Sequence, residues 1–277
     1  MIRRFAIAGM MMCVSAAAAA QPQTVVPGST PTNGLPGTPV APAWAYPESP
    51  GCRQVPPPPD FHRPPRIVNE PIGVFEGRAD VGAAVVPGSA AFADGKYTIT
   101  SAGYNIWYTR DEFHYLFKRM SGDVSLAADI AYPDPRGFFD RKAVLVIRQS
   151  LDDDSKQMVV ALHGEGMIHI AERPEKGARI RDMEYRIGSR GLLPGGNSPD
   201  SLVTLHARRL GLQKQGDDFT LWISEKGEPM HQLSGPLRLR LDGPFYVGIG
   251  FTSHLPATTD TAILSDVVLE NASGRVR

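Results

Sequence analysis

Cysteine is almost absent from this chain, which has 2 in 277 residues, Cys13 and Cys52. Cys13 lies in an apolar run near the start, so one cysteine is left if that run is removed as a signal peptide. An intramolecular disulfide is then excluded, and an ordinary apolar core must stabilise the fold. Cys52 stands among prolines, where it is either an exposed thiol or a partner for a disulfide between chains.

Long apolar runs and an excess of one charge are also lacking. No run reaches the roughly 20 apolar residues that span a bilayer, so no membrane span is expected. Lys plus Arg and Asp plus Glu are equal at 29 each. A neutral chain has no long-range field to attract a polyanion, so nucleic acid is not an expected partner.

The first 20 residues have the layout of a secretory signal peptide: a basic start at 3–4, an apolar run at 5–14 and alanines at 16–20. This predicts export to the periplasm or the extracellular space, with cleavage before residue 21. A lipid anchor is the alternative, but Cys13 follows methionines and lacks the small-residue motif that lipidation requires.

Proline divides the rest of the chain. More than half of the 25 prolines lie within 21–69, and such a segment favours extended geometry and cannot close a core. We therefore predict a disordered proline-rich linker at 21–69, a β-sandwich domain at 70–272 and a short tail at 273–277.

From about residue 70, short runs alternate apolar and polar residues, and helical periodicity is absent. This pattern predicts an all-β antiparallel sandwich. Turn residues separate four pairs of runs that are predicted to form hairpins: 90–93 with 96–101, 113–120 with 124–131, 158–163 with 167–172, and 202–214 with 219–224. Two further strands are predicted at 246–251 and 262–270.

Alternation in the run 245–252 assigns the two faces of one strand. Phe245, Val247, Ile249 and Phe251 share the face predicted to be core. The opposite face carries Tyr246 with Gly248 and Gly250. The glycines leave an open groove beside Tyr246, room for another strand to approach closely, or a floor under a covering loop.

One irregular insertion, at 173–201, interrupts the strand pattern. It is rich in arginine and acidic residues, and its arginines are either a solvated surface or an anion-binding cradle.

Three runs resemble exported sandwich domains of the DUF1349 and regulation-of-enolase type, within the concanavalin A-like lectin/glucanase superfamily: GYNIWYTRDEFHYLFKRMSGDVSLAADI (103–130), RKAVLVIRQSLDDDSKQMVVALHGEG (141–166) and GPFYVGIGFTSH (243–254). The resemblance covers about 70–272. It implies a two-sheet jelly roll whose first strand, near 75–81, lies beside its last, near 263–269. Similar domains accompany exported carbohydrate-active enzymes, and many have no assigned activity.

Catalysis on this fold needs two carboxylates facing each other across the glycosidic bond. The sequence lacks a Glu-x-Asp-x-x-Glu strand. Its nearest acidic pair, Asp182 and Glu184, lies in the arginine-rich insertion with salt-bridge partners at hand. No catalytic residue is predicted, and the sequence indicates a binding protein rather than an enzyme.

Two clusters contain metal-binding residue types. The run 152–154 holds three aspartates that form either a polar turn or a Ca²⁺ site. His163 and His169 flank a tight turn on one face, as sheet histidines or as zinc ligands that would need a third partner. The turn and the sheet histidines are favoured, and no cofactor or metal site is predicted.

A binding surface is predicted from residues that supply aromatic platforms and planar hydrogen-bonding groups, as sugar recognition requires. These residues are Trp107, Tyr108, Arg110, Asp111, His114, Arg148, His163, Tyr246 and His254. Arg148 follows the apolar run 144–147, so a buried charge there needs a partner such as Asp111 or a cluster of carbonyl groups. A structural ion pair and a ligand contact are both open at this position.

These observations together predict an exported, non-catalytic β-sandwich module that binds a glycan or a cell-envelope polymer. The alternatives are a polysaccharide hydrolase or lyase with non-standard acids, and an envelope domain that binds another protein. The sequence does not set an oligomeric state.

Overall fold

A computed structural model describes residues 62–185, 209–225 and 227–277, all within one compact unit. Within these ranges the repeating structure is β-strand, and no helix is long and apolar enough to cross a bilayer. The predicted signal peptide, residues 21–61 of the predicted linker and residues 186–208 lie outside the described ranges.

The strands are, in chain order, β1 (Arg66–Val68), β2 (Gly77–Val81), β3 (Ser89–Ala93), β4 (Lys96–Ser101), β5 (Ile106–Trp107), β6 (Arg110–Asp111), β7 (Phe113–Met120), β8 (Val124–Ala131), β9 (Lys142–Arg148), β10 (Gln157–His163), β11 (Ile168–Arg173), β12 (Arg181–Tyr185), β13 (Arg209–Gln215), β14 (Asp218–Ser224), β15 (His231–Gln232), β16 (Leu237–Arg238), β17 (Phe245–Thr252) and β18 (Asp260–Glu270).

Two antiparallel sheets contain all of these strands except β5 and β6, which pair as a small hairpin. The first sheet has the order β1-β2-β7-β17-β9-β10-β11-β12. The second has the order β15-β14-β13-β8-β18-β4-β3, with β16 also paired to β14. The predicted all-β, two-sheet antiparallel sandwich is therefore confirmed.

The main core lies between the sheets. Alternate residues of each strand point inward, so that Leu145 and Ile249 of the first sheet join Leu126 and Leu212 of the second in one buried cluster. The predicted core face of β17 is confirmed, because all four of its apolar residues belong to this cluster.

Three of the four predicted hairpins are confirmed: β3 with β4, β10 with β11, and β13 with β14, the last from residue 209 onward. The fourth, β7 with β8, is wrong. β7 pairs with β2 and β17 in the first sheet, whereas β8 pairs with β13 and β18 in the second. The connection at 121–123 therefore crosses from one sheet to the other, and Leu116 and Leu126 both belong to the core cluster between the sheets.

The expected pairing of the first and last strands is also wrong. β2 lies between β1 and β7 in the first sheet, and β18 lies between β4 and β8 in the second. The place next to β2 is taken by β1, which the sequence assigned to the linker. Arg63, just before β1, is 4% exposed, so the packed domain includes residues ahead of 70.

The predicted tail also contacts the domain. Gly274 N donates to Gln213 Oε1 (2.7 Å), and Arg275 N donates to Ser125 Oγ (3.1 Å). Residues 273–277 therefore lie along the second sheet.

The glycine face of β17 is in contact with β7. A Cβ on Gly248 would overlap the Leu116 carbonyl oxygen, and one on Gly250 would lie 2.7 Å from the His114 carbonyl oxygen. Of the three interpretations of these glycines, close approach by another strand is the one that the structure shows. The space beside Tyr246 at these positions is filled.

Replacing Gly248 with alanine should destabilise the protein by about 1–3 kcal/mol, the usual cost of forcing extra atoms into a packed interior. Urea denaturation measures the change. Gly235→Ala is the matched control, because a Cβ at Gly235 meets nothing within 4 Å. Equal unfolding midpoints for the two variants would contradict the close approach of β7.

Candidate functional site

A second apolar cluster covers the outer face of the first sheet, the face turned away from the second sheet. Strands of the first sheet contribute Val144, Val146 and Val159 to it. Ile106 and Ile180, from segments that cross this face, complete it. The first sheet is thus buried on both faces. The segments that cover its outer face form the solvent-exposed surface there.

The β5–β6 hairpin is one of these covering segments, and it presents two aromatic rings. Trp107 and Tyr108 are half-buried, whereas Ile106 before them is 1% exposed. The Trp107 ring lies 5.6 Å from the His169 ring, between centroids. Tyr108 has a φ of 48°, a left-handed conformation that is costly for a residue with a side chain.

Backbone hydrogen bonds hold the hairpin on its neighbours. Asp111 N donates to Asp153 O (2.7 Å), and Ile180 N donates to Tyr108 O (2.9 Å). The strained turn is therefore fixed from two sides, which places the two rings at defined positions.

A buried ion network lies beneath the hairpin. Asp111 accepts from Nη1 and Nη2 of Arg173, at 2.8 and 2.7 Å, and from Nη2 of Arg148, at 3.4 Å. All three residues are 0% exposed. Both kinds of partner suggested for Arg148 are present, because it pairs with Asp111 and also donates to the Asp152 and Ser150 carbonyl oxygens.

The neighbouring residues extend this network. Arg110 pairs with Glu112 and lies 3.7 Å from Asp153, and Arg63 lies 3.6 Å from Glu112. Glu112 also accepts from Tyr104 N at 3.0 Å. Each buried carboxylate thus has a cationic partner, which offsets the large cost of removing these charges from water.

A separate histidine cluster lies at the other end of the outer face. Asp140 contacts His163 Nδ1 (2.5 Å), His254 Nε2 (2.8 Å) and Lys142 Nζ (3.3 Å). His163 Nε2 in turn lies 2.9 Å from His169 Nδ1. The expectation that His163 and His169 meet on one face is confirmed, and they hydrogen-bond to each other as sheet histidines.

Burial and charge set the protonation of this cluster. Burial, together with the nearby Lys142 charge, lowers the pKa of His163 and of His254 to about 4. Burial alone would raise the pKa of Asp140, but Lys142 and the hydrogen bonds from the two histidines hold it well below its usual range. At neutral pH the cluster therefore contains neutral histidines around one carboxylate and one ammonium.

The predicted binding residues do not converge on one depression. Arg148 is in register with Tyr246, at one end of β9, while Lys142 at the other end is in register with Thr252 and His163. The six-residue separation along the strand amounts to roughly 20 Å. His114 is on the opposite face of its strand from Phe113 and Tyr115, and it pairs with Asp80 at 2.7 Å.

The nine predicted binding residues also differ in their solvent exposure. Six are almost fully buried: Arg110 (0%), Asp111 (0%), His114 (3%), Arg148 (0%), His163 (3%) and His254 (2%). Trp107, Tyr108 and Tyr246 are half-buried and present surface to solvent. Ligand contact by any of the nine stays a prediction, but the three aromatic residues are the ones that a polymer can reach in this conformation.

Sequence reasoning missed Arg173 and Asp140. Arg173 was assigned to an irregular insertion, but it ends β11, and β12 then continues the sheet to Tyr185. Arg173 lies two and four residues after Ala171 and His169, which are on the outer face. This alternation is the sequence signal that places Arg173 on the same face. Asp140 precedes β9 in a loop with no periodic pattern, so its position between two distant histidines had no local signal.

The predicted aspartate turn at 152–154 is present, with Ser155 N donating to Asp152 O at 3.1 Å. Within the described ranges, His62, Asp153 and Asp154 are the one group of three or more His, Cys, Asp or Glu residues whose ligand atoms all lie within 4.8 Å of one another. Lys176 contacts Asp154 at 2.7 Å and Asp152 at 2.6 Å. These carboxylates are already partnered by cations, which does not favour a divalent metal.

No family model and no curated protein matches the chain. Similar solved structures include a functionally unknown protein from Saccharomyces cerevisiae, at 13% identity and a TM-score of 0.47, covering 67% of this chain and 93% of that one. Carbohydrate-binding module CBM66 from Bacillus subtilis has 15% identity, a TM-score of 0.40 and coverage of 66% and 92%. An alginate lyase from Klebsiella pneumoniae has 12% identity, a TM-score of 0.43 and coverage of 67% and 85%. These proteins include both a binding module and a lyase, so the likeness does not separate binding from catalysis.

Proposed function

We propose that this protein is an exported, non-catalytic β-sandwich module that binds a glycan or a cell-envelope polymer through Trp107 and Tyr108. The observation that carries the proposal is that these consecutive, half-buried rings occupy a strained turn fixed over a buried ion network. Export rests on the predicted signal peptide.

Aromatic rings suit this role because the C–H face of a sugar packs on a ring while the hydroxyl groups stay hydrated or hydrogen-bonded at its rim. A rigid platform also loses little entropy on binding, which improves affinity. The ion pairs of Asp111 beneath the hairpin supply that rigidity. In this proposal the buried residues position the platform and do not touch the ligand.

The same contacts argue against acid–base catalysis at the buried groups. A general acid or base needs a group able to exchange a proton with the substrate. Asp111, Glu112 and Asp140 are each paired with a buried cation. Both ring nitrogens of His163 are engaged, by Asp140 and by His169.

Replacing Trp107 with alanine should weaken binding to the recognised polymer by about 10-fold or more, because aromatic anchors dominate binding energies. A glycan array first identifies the polymer, and calorimetric titration then gives both affinities. A matched melting experiment checks that the variant remains folded.

Trp222→Ala is the control for this experiment. Trp222 is also half-buried, but it lies on β14 in the second sheet, with its Nε1 donating to Thr220 Oγ1 at 2.9 Å. This variant should bind as the parent does. Failure of the parent to bind any polymer of a broad panel, or equal losses in the two variants, would overturn the proposal.

A further inference from the structure

Arg179 stands next to the aromatic platform in a fixed position. It belongs to the 174–180 loop between β11 and β12, which is tied down on both sides of the residue. Arg173 Nε donates to Ala178 O (3.1 Å), and Ile180 N donates to Tyr108 O (2.9 Å). Ile180 is itself buried at 7% exposure.

The Arg179 guanidinium lies over the Tyr108 ring, with its central carbon 5.0 Å from the ring centroid. The residue is exposed, and no carboxylate among the described residues forms an ion pair with it. Two neighbouring cations do have acidic partners: Lys176 contacts two aspartates, and Arg181 lies 3.9 Å from Glu172. Arg179 is thus a solvent-facing guanidinium that stacks on an aromatic ring and has no acidic partner within residues 62–185, 209–225 and 227–277.

This arrangement fits an acidic sugar better than a neutral one. A guanidinium binds a carboxylate through two parallel hydrogen bonds, and stacking on a ring limits its freedom beforehand. Because the formal net charge of the chain is zero, long-range attraction of a polyanion is not expected, and recognition must come from such a local group.

We propose that the polymer bound at this site is a polyuronate, whose sugar ring packs on Trp107 and Tyr108 while its carboxylate pairs with Arg179. This inference rests on the function proposed above and names its ligand class.

Two polyuronates, polygalacturonate and alginate, and the uronate-containing copolymer hyaluronate are each compared with the carboxyl-reduced form of the same polymer, which keeps the backbone and lacks the charge. At least one native polymer should bind more tightly than its reduced form. Arg179→Ala should lower affinity for that native polymer by about 10-fold and leave affinity for its reduced form unchanged. Arg179→Lys, which keeps the charge without the planar group, should give an intermediate loss.

Arg181→Ala is the matched control, since Arg181 is an exposed cation, at 76% side-chain exposure, that already has an acidic neighbour. It should leave affinity for the native polymer nearly unchanged. Equal losses in the two alanine variants, or binding of dextran sulfate as tight as that of the polyuronate, would show general charge attraction and overturn the inference.

The two proposals fail in different ways. If the native and reduced polymers bind equally and Arg179→Ala has no effect, the polyuronate inference fails while glycan binding stands. If the parent binds no polymer in either form or in the broader panel, both fail.

Discussion

Replacing Asp111 with asparagine should lower the stability of the protein by about 3–5 kcal/mol, the usual cost of leaving buried charges without a partner. Asp111 is the carboxylate that Arg148 and Arg173 share as an ion-pair partner, and all three side chains are fully buried. For a domain of this size the loss corresponds to a fall in melting temperature of about 6–20 °C. Differential scanning calorimetry measures it.

Asp134→Asn is the control for this substitution. Asp134 pairs with Arg136, but the two side chains are 46% and 87% exposed. Solvent screens such a pair, so its removal should leave the melting temperature nearly unchanged. A melting temperature of Asp111→Asn close to that of the control would show that the network beneath the hairpin does not stabilise the fold.

Lowering the pH from 7.5 to 4.5 should destabilise the protein through its histidine cluster. The pKa values of His163 and His254 are about 4 in the folded protein, mainly because of burial. In the unfolded chain they return to about 6.5. Between these values the unfolded state binds more protons, so the free energy of unfolding falls as pH falls, by about 1.4 kcal/mol per unit of pKa difference for each histidine.

Below about pH 4 a further loss of stability is expected from Asp140, whose pKa is held below its usual range in the folded protein.

Urea denaturation at successive pH values measures how steeply the free energy of unfolding changes with pH, which is the slope compared below. His254→Asn should reduce the slope, and asparagine tolerates the left-handed φ of 66° at this position. His231→Asn, at an exposed residue of β15, should leave it unchanged. A flat profile for the parent between pH 6.5 and 4.5 would contradict the burial of the cluster.

Arg148 shows how much of the candidate site follows from the alternation of residues along a strand. Parity along β9 placed Arg148 on the same face as Val144 and Val146, and that alone required a buried charge to find a partner. The structure supplies both suggested kinds of partner, the Asp111 carboxylate and two backbone carbonyl groups. The second arginine on Asp111, Arg173, was missed because the predicted strand ends at residue 172, one residue before β11 does.

The sequence by itself determined most of the longer strands and the core face of β17, because side chains two apart point the same way whatever the strand pairs with. It placed β10, β13 and β17 to within a residue or two over their described lengths, and it assigned the core face of β17. Only the tertiary structure decided that β7 and β8 belong to different sheets and that β1 flanks β2. Pairing depends on which distant apolar faces fit together, and that choice leaves no mark on local alternation. The same holds for Arg179 and Tyr108, which adjoin because a loop docks beside the hairpin.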